Sequence, residues 1–303
     1  MKVLVTGATG LVGTALVQEL RRDGHLVCRL LRKKDEDEQH AKEDCDLDWD
    51  PRSDAFGASA QDADAVVNLA GASISDGRWS EDRKEALRSS RLETTQALVA
   101  SIEKMHPRPK VLVSASAIGY YGDRGDEILT EESPPRKDFL SRLAETWEAE
   151  AMKAQAFGVR VVRVRFGIIL AKQGGALPQM MLPFKIGAGG KLGSGSQWMS
   201  WVALEDVVRI IRFAIETPAV HGAINVTAPH PVTNTEFTKV LARAMHRPAF
   251  FTVPPFALRA LLGEMADALL LSSQRVLPQA LEQLGYLFAY PDLKSALAAI
   301  LKP

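Results

Sequence analysis

Three glycines spaced Gly-x-x-Gly-x-x-Gly, at Gly7, Gly10 and Gly13, constrain this chain more than any other feature. An apolar run from Lys2 to Thr6 leads into them, and an amphipathic pattern from Val12 follows. In a strand–turn–helix unit each glycine has a physical task. One closes the tight turn, one lets a diphosphate approach the backbone, and one lets the helix pack against the strand. The helix start then offers unpaired N–H groups and the positive end of its dipole to an anion. Gly7, Thr9, Gly10, Leu11, Val12 and Gly13 are therefore expected to seat the diphosphate of a dinucleotide.

Apolar β-branched runs alternate with helical patterns along the first half. Strands are expected at Lys2–Thr6, Leu26–Leu31, Ala65–Leu69, Lys110–Ala115 and Val159–Phe166, with a late one at Ala223–Val226. Helices are expected at Val12–Arg22, Glu81–Lys104 and Asp138–Phe157. Continuous rather than alternating apolar strands, each followed by a helix, predict a doubly wound α/β parallel sheet covered on both faces. The charged run from Arg32 to Asp50 reads as a solvated loop. Beyond Gly167 glycines crowd the segment from Gly174 to Gly195, which ends in Gln197-Trp-Met-Ser-Trp201. Helices are expected to resume at Glu205–Glu216, Asn234–His246, Pro255–Leu270 and Ser273–Leu284. The division is thus a dinucleotide domain over residues 1–167, with the late strand near 223–226 returning to it. A substrate-binding region over 168–249 and a small helical C-terminal domain over 250–303 follow.

Composition narrows the function classes. The 303 residues are 46% hydrophobic and 24% charged, and 37 basic residues balance 37 acidic ones. A neutral balance argues against a nucleic-acid or anionic-membrane surface, and basic residues are not interleaved with aromatics. Cys28 and Cys45 cannot build a framework of bridges, so a reducing compartment is the simplest expectation. With no signal-like n- and h-region and no long apolar run, a cytoplasmic location is expected. The six histidines show no His-x-x-x-His spacing and the cysteines no Cys-x-x-Cys, so no metal site is expected. No Gly-x-Ser-x-Gly elbow is present. A small-molecule substrate remains, and oligomeric state is left open.

Cofactor choice follows from the end of the second strand, Leu30-Leu-Arg32-Lys-Lys34, whose first carboxylate, Asp35, comes late. A guanidinium pairs bidentately with a phosphate, so Arg32 is expected to select the 2′-phosphate of NADP(H). Leu69, Ala70 and Gly71, with Asn68 before them, are small enough for the adenosine half to lie across that strand end. Ser114, together with Arg165 and Gly167 at the end of the Val159–Phe166 run, completes the expected cofactor set. Ser116, Tyr120 and Tyr121, beyond the next strand, are the candidate catalytic residues: their hydroxyls can orient a substrate oxygen and relay a proton. Gln197, Trp198 and Trp201 are the candidate substrate contacts.

These motifs resemble those of extended or atypical short-chain dehydrogenase/reductases, and within them the sugar-nucleotide-epimerase-like, cell-division-inhibitor-like family. The resemblance rests on Val5-Thr-Gly-Ala-Thr-Gly-Leu-Val-Gly13, Trp49-Asp-Pro51, Val67-Asn-Leu-Ala-Gly71, Ser89-Ser-Arg91 with Thr94-Thr95, and Ser116-Ala-Ile-Gly-Tyr-Tyr-Gly122. It continues through Trp147-Glu148, Gln197-Trp-Met-Ser-Trp201, Asn225-Val-Thr-Ala-Pro229 and Gln274-Arg-Val-Leu-Pro278, essentially the whole chain. It implies a Rossmann-type sheet, NADP(H) in the N-terminal site and a cleft roofed by C-terminal helices.

The chain departs from that pattern where it matters most. Relatives of the dehydrogenase class carry Tyr-x-x-x-Lys on the helix after the serine strand, one face of which holds phenol and ammonium together. Here that helix reads Asp138-Phe-Leu-Ser-Arg-Leu-Ala-Glu-Thr-Trp147. Setting Arg142 at the lysine puts Asp138 at the tyrosine; setting Phe139 at the tyrosine puts Leu143 at the lysine. Tyr290 and Lys294 match only by chance, with Pro291 between them. Ala203 also stands where the family commonly has histidine. Two readings follow. In one, Tyr121 or Tyr120 with Ser116 replaces the lost phenol, helped by Arg124 or Arg142, in an NADP(H)-dependent oxidoreductase or epimerase acting on a small polar, including nucleotide-linked, substrate. In the other, the protein keeps the cofactor as a non-catalytic sensor or regulator.

Overall fold

The computed structural model describes residues 1–31, 45–51, 56 and 60–302. Seven parallel strands form its central sheet: β1 Lys2–Thr6, β2 Leu26–Leu31, β3 Leu47–Asp48, β4 Ala65–Asn68, β5 Val111–Ala117, β6 Arg160–Phe166 and β7 Gly222–Val226. Their order is β7-β6-β5-β4-β1-β2-β3, so the chain reverses direction across the sheet between β1 and β4. Open α/β sheets bind ligands above such a reversal, outside the strand carboxyl ends. Here that place lies over Thr6, Asn68 and Ser114, which register allows to sit side by side as Thr6 pairs with Asn68 and Asn68 with Ser114.

Helices cover both faces because the strands are apolar on both. One layer packs α1 (Leu11–Arg22) and α5 (Leu204–Glu216) on Val3, Val5, Val113 and Val164; the other packs α2 (Glu81–Glu103) and α3 (Phe139–Met152) around Leu4, Val66, Leu112 and Val161. Ser80 caps α2 by accepting from the Arg83 N–H, and Asp138 caps α3 by accepting from the Ser141 N–H.

Several expectations are corrected. The Ser273–Leu284 helix does not form. Arg275–Val276 is a short strand parallel to Ile128–Leu129, and Pro278 delays the next helix to Gln279–Gln283. The Pro255–Leu270 pattern breaks after a helix at Pro255–Leu262, at Gly263, whose φ of +63° closes it, and a separate π-helical stretch follows at Ala266–Leu271. The glycine-crowded segment contains a helix, α4 (Ala176–Lys185). Within the charged run Leu47–Asp48 is an edge strand, while Arg32 and its neighbours through residue 44 lie outside the described residues. Because β3 runs beside β2, Cys45 meets Cys28 and the two form a disulfide with Cα atoms 4.8 Å apart. The reducing-compartment expectation loses its support from the cysteines.

Candidate functional site

The glycine-rich turn is a close-packed knot of backbone. A Cβ on Gly13 would stand 2.2 Å from the Gly7 carbonyl oxygen, and one on Gly7 would stand 2.5 Å from the Leu69 carbonyl oxygen. Gly7 also has a φ of +65°. Any side chain at either place forces strand, helix and the β4 exit loop apart. Gly10 differs: its Cβ would meet the Gly7 oxygen at 3.4 Å, an ordinary contact. Gly10 is the residue before α1 and no side chain caps that helix start. Thr9 and Gly10 are exposed, and Leu11 and Val12 half-buried, so the helix N–H groups open outward beside Leu69, Ala70 and Gly71. This cradle fits a diphosphate.

Behind it runs a polar chain. The Thr6 hydroxyl donates to Asn68 Oδ1 at 2.8 Å, and Asn68 Nδ2 donates to Thr95 Oγ1 at 2.9 Å and Ser114 Oγ at 3.3 Å. Trp147 Nε1 donates to the same Thr95 hydroxyl at 2.9 Å. Ser114 is thus a partner of Asn68, which fixes the strand ends.

A second buried network lies at the end of β5. Ser116 Oγ donates to Glu148 Oε1 at 2.7 Å. Arg165 donates to both oxygens of Glu148, and Arg163 adds a third cationic bond to Oε2 at 3.0 Å. Arg165 Nη1 donates to the Tyr121 hydroxyl at 2.9 Å, which itself donates to Asn225 Oδ1 at 2.7 Å. The Asn225 N–H donates to Glu131 Oε1 at 2.9 Å, closing the network onto the loop after β5. Burial is the largest single influence and opposes the Arg165 charge, but the hydrogen bonds and charge interactions with Glu148 and Tyr121 together outweigh it and raise the pKa of the guanidinium. Burial pushes the Tyr121 phenol up to about 12, against the pull of Arg165 and Asn225. Burial likewise raises Glu131.

The structure therefore gathers Ser116, Tyr121 and Arg165 but commits their polar atoms to a network closed by Glu148 and Asn225. The Tyr121 side chain is fully buried and its hydroxyl is spent on Asn225 and Arg165. Tyr120 is half-buried, with the Arg165 guanidinium 3.6 Å from its ring centre, and its hydroxyl has no hydrogen-bond partner among the described residues. The cation beside the tyrosines is Arg165; Arg124 is paired with Glu127 and Arg142 is exposed. On α3 the face turned to Ser116 carries Glu148, Ala144 one turn earlier and Leu140 two turns earlier, with Leu140 packed at the Cβ position of Gly119. Neither of the two alignments expected from sequence puts these residues there. Phe139 lies off that face, edge-on to Trp79 at 5.4 Å.

The remaining expected residues divide. Gly167 leaves no room for a Cβ, which would stand 2.6 Å from the Ser200 carbonyl oxygen, so it serves a close crossing of loops. Trp201 is fully buried and donates to the His230 carbonyl, which makes it core. Gln197 Nε2 ties the Leu192 and Leu270 carbonyls together, and Trp198, half-buried, donates to Asp126 under the Arg275 guanidinium. Sequence reasoning did not assign roles to Glu148, Asn225 or Arg91, although all three stand within the motifs quoted for the resemblance. Among the described residues no cluster of metal-ligating side chains occurs, and no helix is long and apolar enough to cross a membrane.

A parallel sheet with its chain reversal above a glycine-knotted turn defines a dinucleotide-binding protein of the Rossmann class. The chain belongs to the NAD dependent epimerase/dehydratase family, whose model matches residues 3–227, and a domain of unknown function, DUF1731, matches residues 253–300. It is 41% identical over 302 residues to the epimerase family protein YfhF of Bacillus subtilis, covering 99% of this chain and 98% of the relative. A chloroplastic SDR39U1 homologue of Arabidopsis thaliana is 43% identical over 306 residues, covering all of this chain and 87% of the relative. Among solved structures, human epimerase family protein SDR39U1 with NADPH superposes with a TM-score of 0.89 at 37% identity, covering 99% of each chain. The nucleoside-diphosphate sugar epimerase of Corynebacterium glutamicum superposes at 0.80 and 36% identity, covering 99% of this chain and 58% of that one.

Proposed function

We propose that this protein binds NADP(H) across the carboxyl ends of β1, β4 and β5 and uses it in an oxidoreductase or epimerase-type reaction. The substrate is small and polar, nucleotide-linked substrates included, rather than a nucleic acid or a membrane. The observation that carries the reading is the stack of Gly13 on Gly7 and Gly7 on the Leu69 carbonyl, which leaves an uncapped helix start facing the β4 exit. Gly7, Thr9, Gly10, Leu11, Val12 and Gly13 hold the diphosphate, Leu69 to Gly71 receive the adenosine half, and Arg32 takes the 2′-phosphate. The NADPH in the human relative supports the choice of nucleotide.

Bound NADP(H) supplies or accepts the hydride. Ser116 already donates its proton to Glu148, which leaves its lone pairs to accept a hydrogen bond from a substrate hydroxyl. Glu148 and Arg165 hold that serine in place, and Tyr120 is the tyrosine left to relay a proton. One observation favours the second reading, a non-catalytic sensor: Leu140 and Ala144 on the α3 face can transfer no proton. NADPH oxidation across a panel of carbonyl compounds separates the two. The catalytic reading expects turnover that Ser116→Ala and Tyr120→Phe abolish. Unchanged rates in those variants would remove the assigned roles, and tight NADPH binding without turnover would leave the sensor.

A further inference from the structure

We infer that residues 254–271 form a hinged strap across the mouth of the nucleotide cleft, latched by the Lys84–Glu264 ion pair, that must unlatch for NADP(H) to exchange. The segment lies within the domain of unknown function matched over residues 253–300. That it guards a nucleotide rests on the cofactor reading above; the latch rests on contacts between the strap and α2. Both ends of the strap are anchored to neighbouring loops. At one end Phe251–Val253 pairs parallel with Gly190–Leu192, and the Gly193 N–H donates to the Val253 carbonyl at 2.8 Å. At the other, Gln197 Nε2 donates to the Leu270 carbonyl at 3.0 Å, and Ser273 donates to Asp123 and to the Gly125 carbonyl. Between these anchors the chain is held weakly. Of residues 254–271 only Leu258, Met265 and Ala266 are buried, and none of the three belongs to the apolar clusters that hold the central sheet. Phe256 and Leu261 are 73% and 70% exposed. A segment with so little buried apolar surface opens at a small fraction of the cost of global unfolding.

The middle of the strap reaches across to the dinucleotide domain. Lys84 Nζ lies 2.5 Å from Glu264 Oε2, with Glu81 as a second, longer partner at 3.4 Å. Arg78 Nη2 donates to the Ala260 carbonyl at 3.2 Å and stands 3.6 Å from where a Gly263 Cβ would lie. Arg78 and Lys84 flank the start of α2, at the far end of the β4 exit loop. Lys84 Nζ also lies 5.5 Å from the centre of the Phe139 ring at the start of α3, and the next residue, Leu140, packs at Gly119 in the loop after β5. The tip of the strap therefore rests on the two helix starts that follow the carboxyl ends of β4 and β5. Hydrogen bonding to Glu264 is the main cause that raises the Lys84 pKa, so the ammonium stays charged. Lys84 is mostly covered and Glu264 is half-exposed. Such a pair adds little to global stability but is enough to bias a weakly held segment.

Two measurements on the full chain test the strap: amide hydrogen exchange, and NADPH release followed by nicotinamide fluorescence during a chase with excess NADP⁺. Lys84→Gln and Glu264→Gln are each expected to speed both strap exchange, over residues 257–271, and NADPH release by roughly three- to fivefold, the scale of one partly exposed ion pair. Amides of α1 should keep the rates of the parent protein. The double variant should match either single variant, because both remove the same interaction. Should Lys84→Gln fail to fold, Glu264→Gln, on the half-exposed side chain, carries the same expectation. Strap exchange that neither variant changes, or effects that multiply in the double variant, would overturn the latch. Faster strap exchange with unchanged NADPH release would overturn the gate and leave the ion pair as a surface staple. Failure of the parent protein to bind NADPH would overturn the cofactor reading, and the gate with it, while hydrogen exchange would still decide the latch.

Discussion

Arg165 grips Glu148 by both carboxylate oxygens, with Nε 2.7 Å from Oε1 and Nη2 2.9 Å from Oε2, and both residues are buried. The pair ties β6 to α3 where a short-chain dehydrogenase would be expected to present a phenol and an ammonium. Removing one member of a buried pair leaves the other as an uncompensated charge. Glu148→Ala is therefore expected to cost about 3–5 kcal/mol, read as a lower urea midpoint at unchanged slope. A loss below about 1 kcal/mol would mean that water reaches Arg165 and that the network is not closed.

The glycine knot predicts an ordered series. Gly13→Ala places a methyl 2.2 Å from the Gly7 oxygen, and Gly7→Ala places one 2.5 Å from the Leu69 oxygen; Gly10→Ala meets only an ordinary contact. The first two are expected to destabilise by at least about 1–3 kcal/mol and to abolish NADPH binding. Gly10→Ala should keep the melting temperature within a few degrees and weaken only the nucleotide. Equal melting temperatures for all three would contradict the packing described.

The two adjacent tyrosines should respond differently. Tyr121→Phe strands Asn225 Oδ1 and leaves Arg165 Nη1 with only the Glu131 carbonyl at 3.2 Å, for a loss of about 1–3 kcal/mol. Tyr120→Phe should change stability by less than about 0.5 kcal/mol. If Tyr120→Phe proved the more destabilising, the assignment of the buried hydroxyl would be reversed.

Alkaline unfolding gives an independent check on Tyr121. Its folded pKa, about 12, lies above the ordinary value of 10, so the neutral phenol is favoured in the fold. That contribution is complete below pH 10 and is lost as pH rises from 10 through 12, at most roughly 2–3 kcal/mol. Burial raises Tyr286 as well, so Tyr121→Phe should flatten the slope in part only. A slope between pH 10 and 12 that Tyr121→Phe leaves untouched would show the phenol to be solvent-accessible.

Much of the fold was legible because it depends on local pattern. The β-branched runs of β1, β2, β4, β5 and β6 and the amphipathic stripe of α1 specify their own structure. What escaped was decided by distant partners. Leu47–Asp48 is a strand only because β2 lies beside it, and Arg275–Val276 only because Ile128–Leu129 does. The site divides in the same way. Gly7 and Gly13 announce themselves by spacing, whereas Glu148 reads as an ordinary helix carboxylate until β6 brings Arg165 to it. Tyr121 looked like a proton donor because nothing in the local sequence reveals that Asn225, 104 residues away, takes its hydroxyl.

The central claim is that the glycine knot and the β4 exit form a dinucleotide seat, and thermal denaturation with NADPH and with NADH tests it most directly. NADPH at a hundred times its Kd should stabilise the fold by about 2.7 kcal/mol, a rise of several degrees, with a smaller rise from NADH at the same concentration. No rise with either nucleotide, in protein whose Gly13→Ala variant is equally unresponsive, would contradict the account.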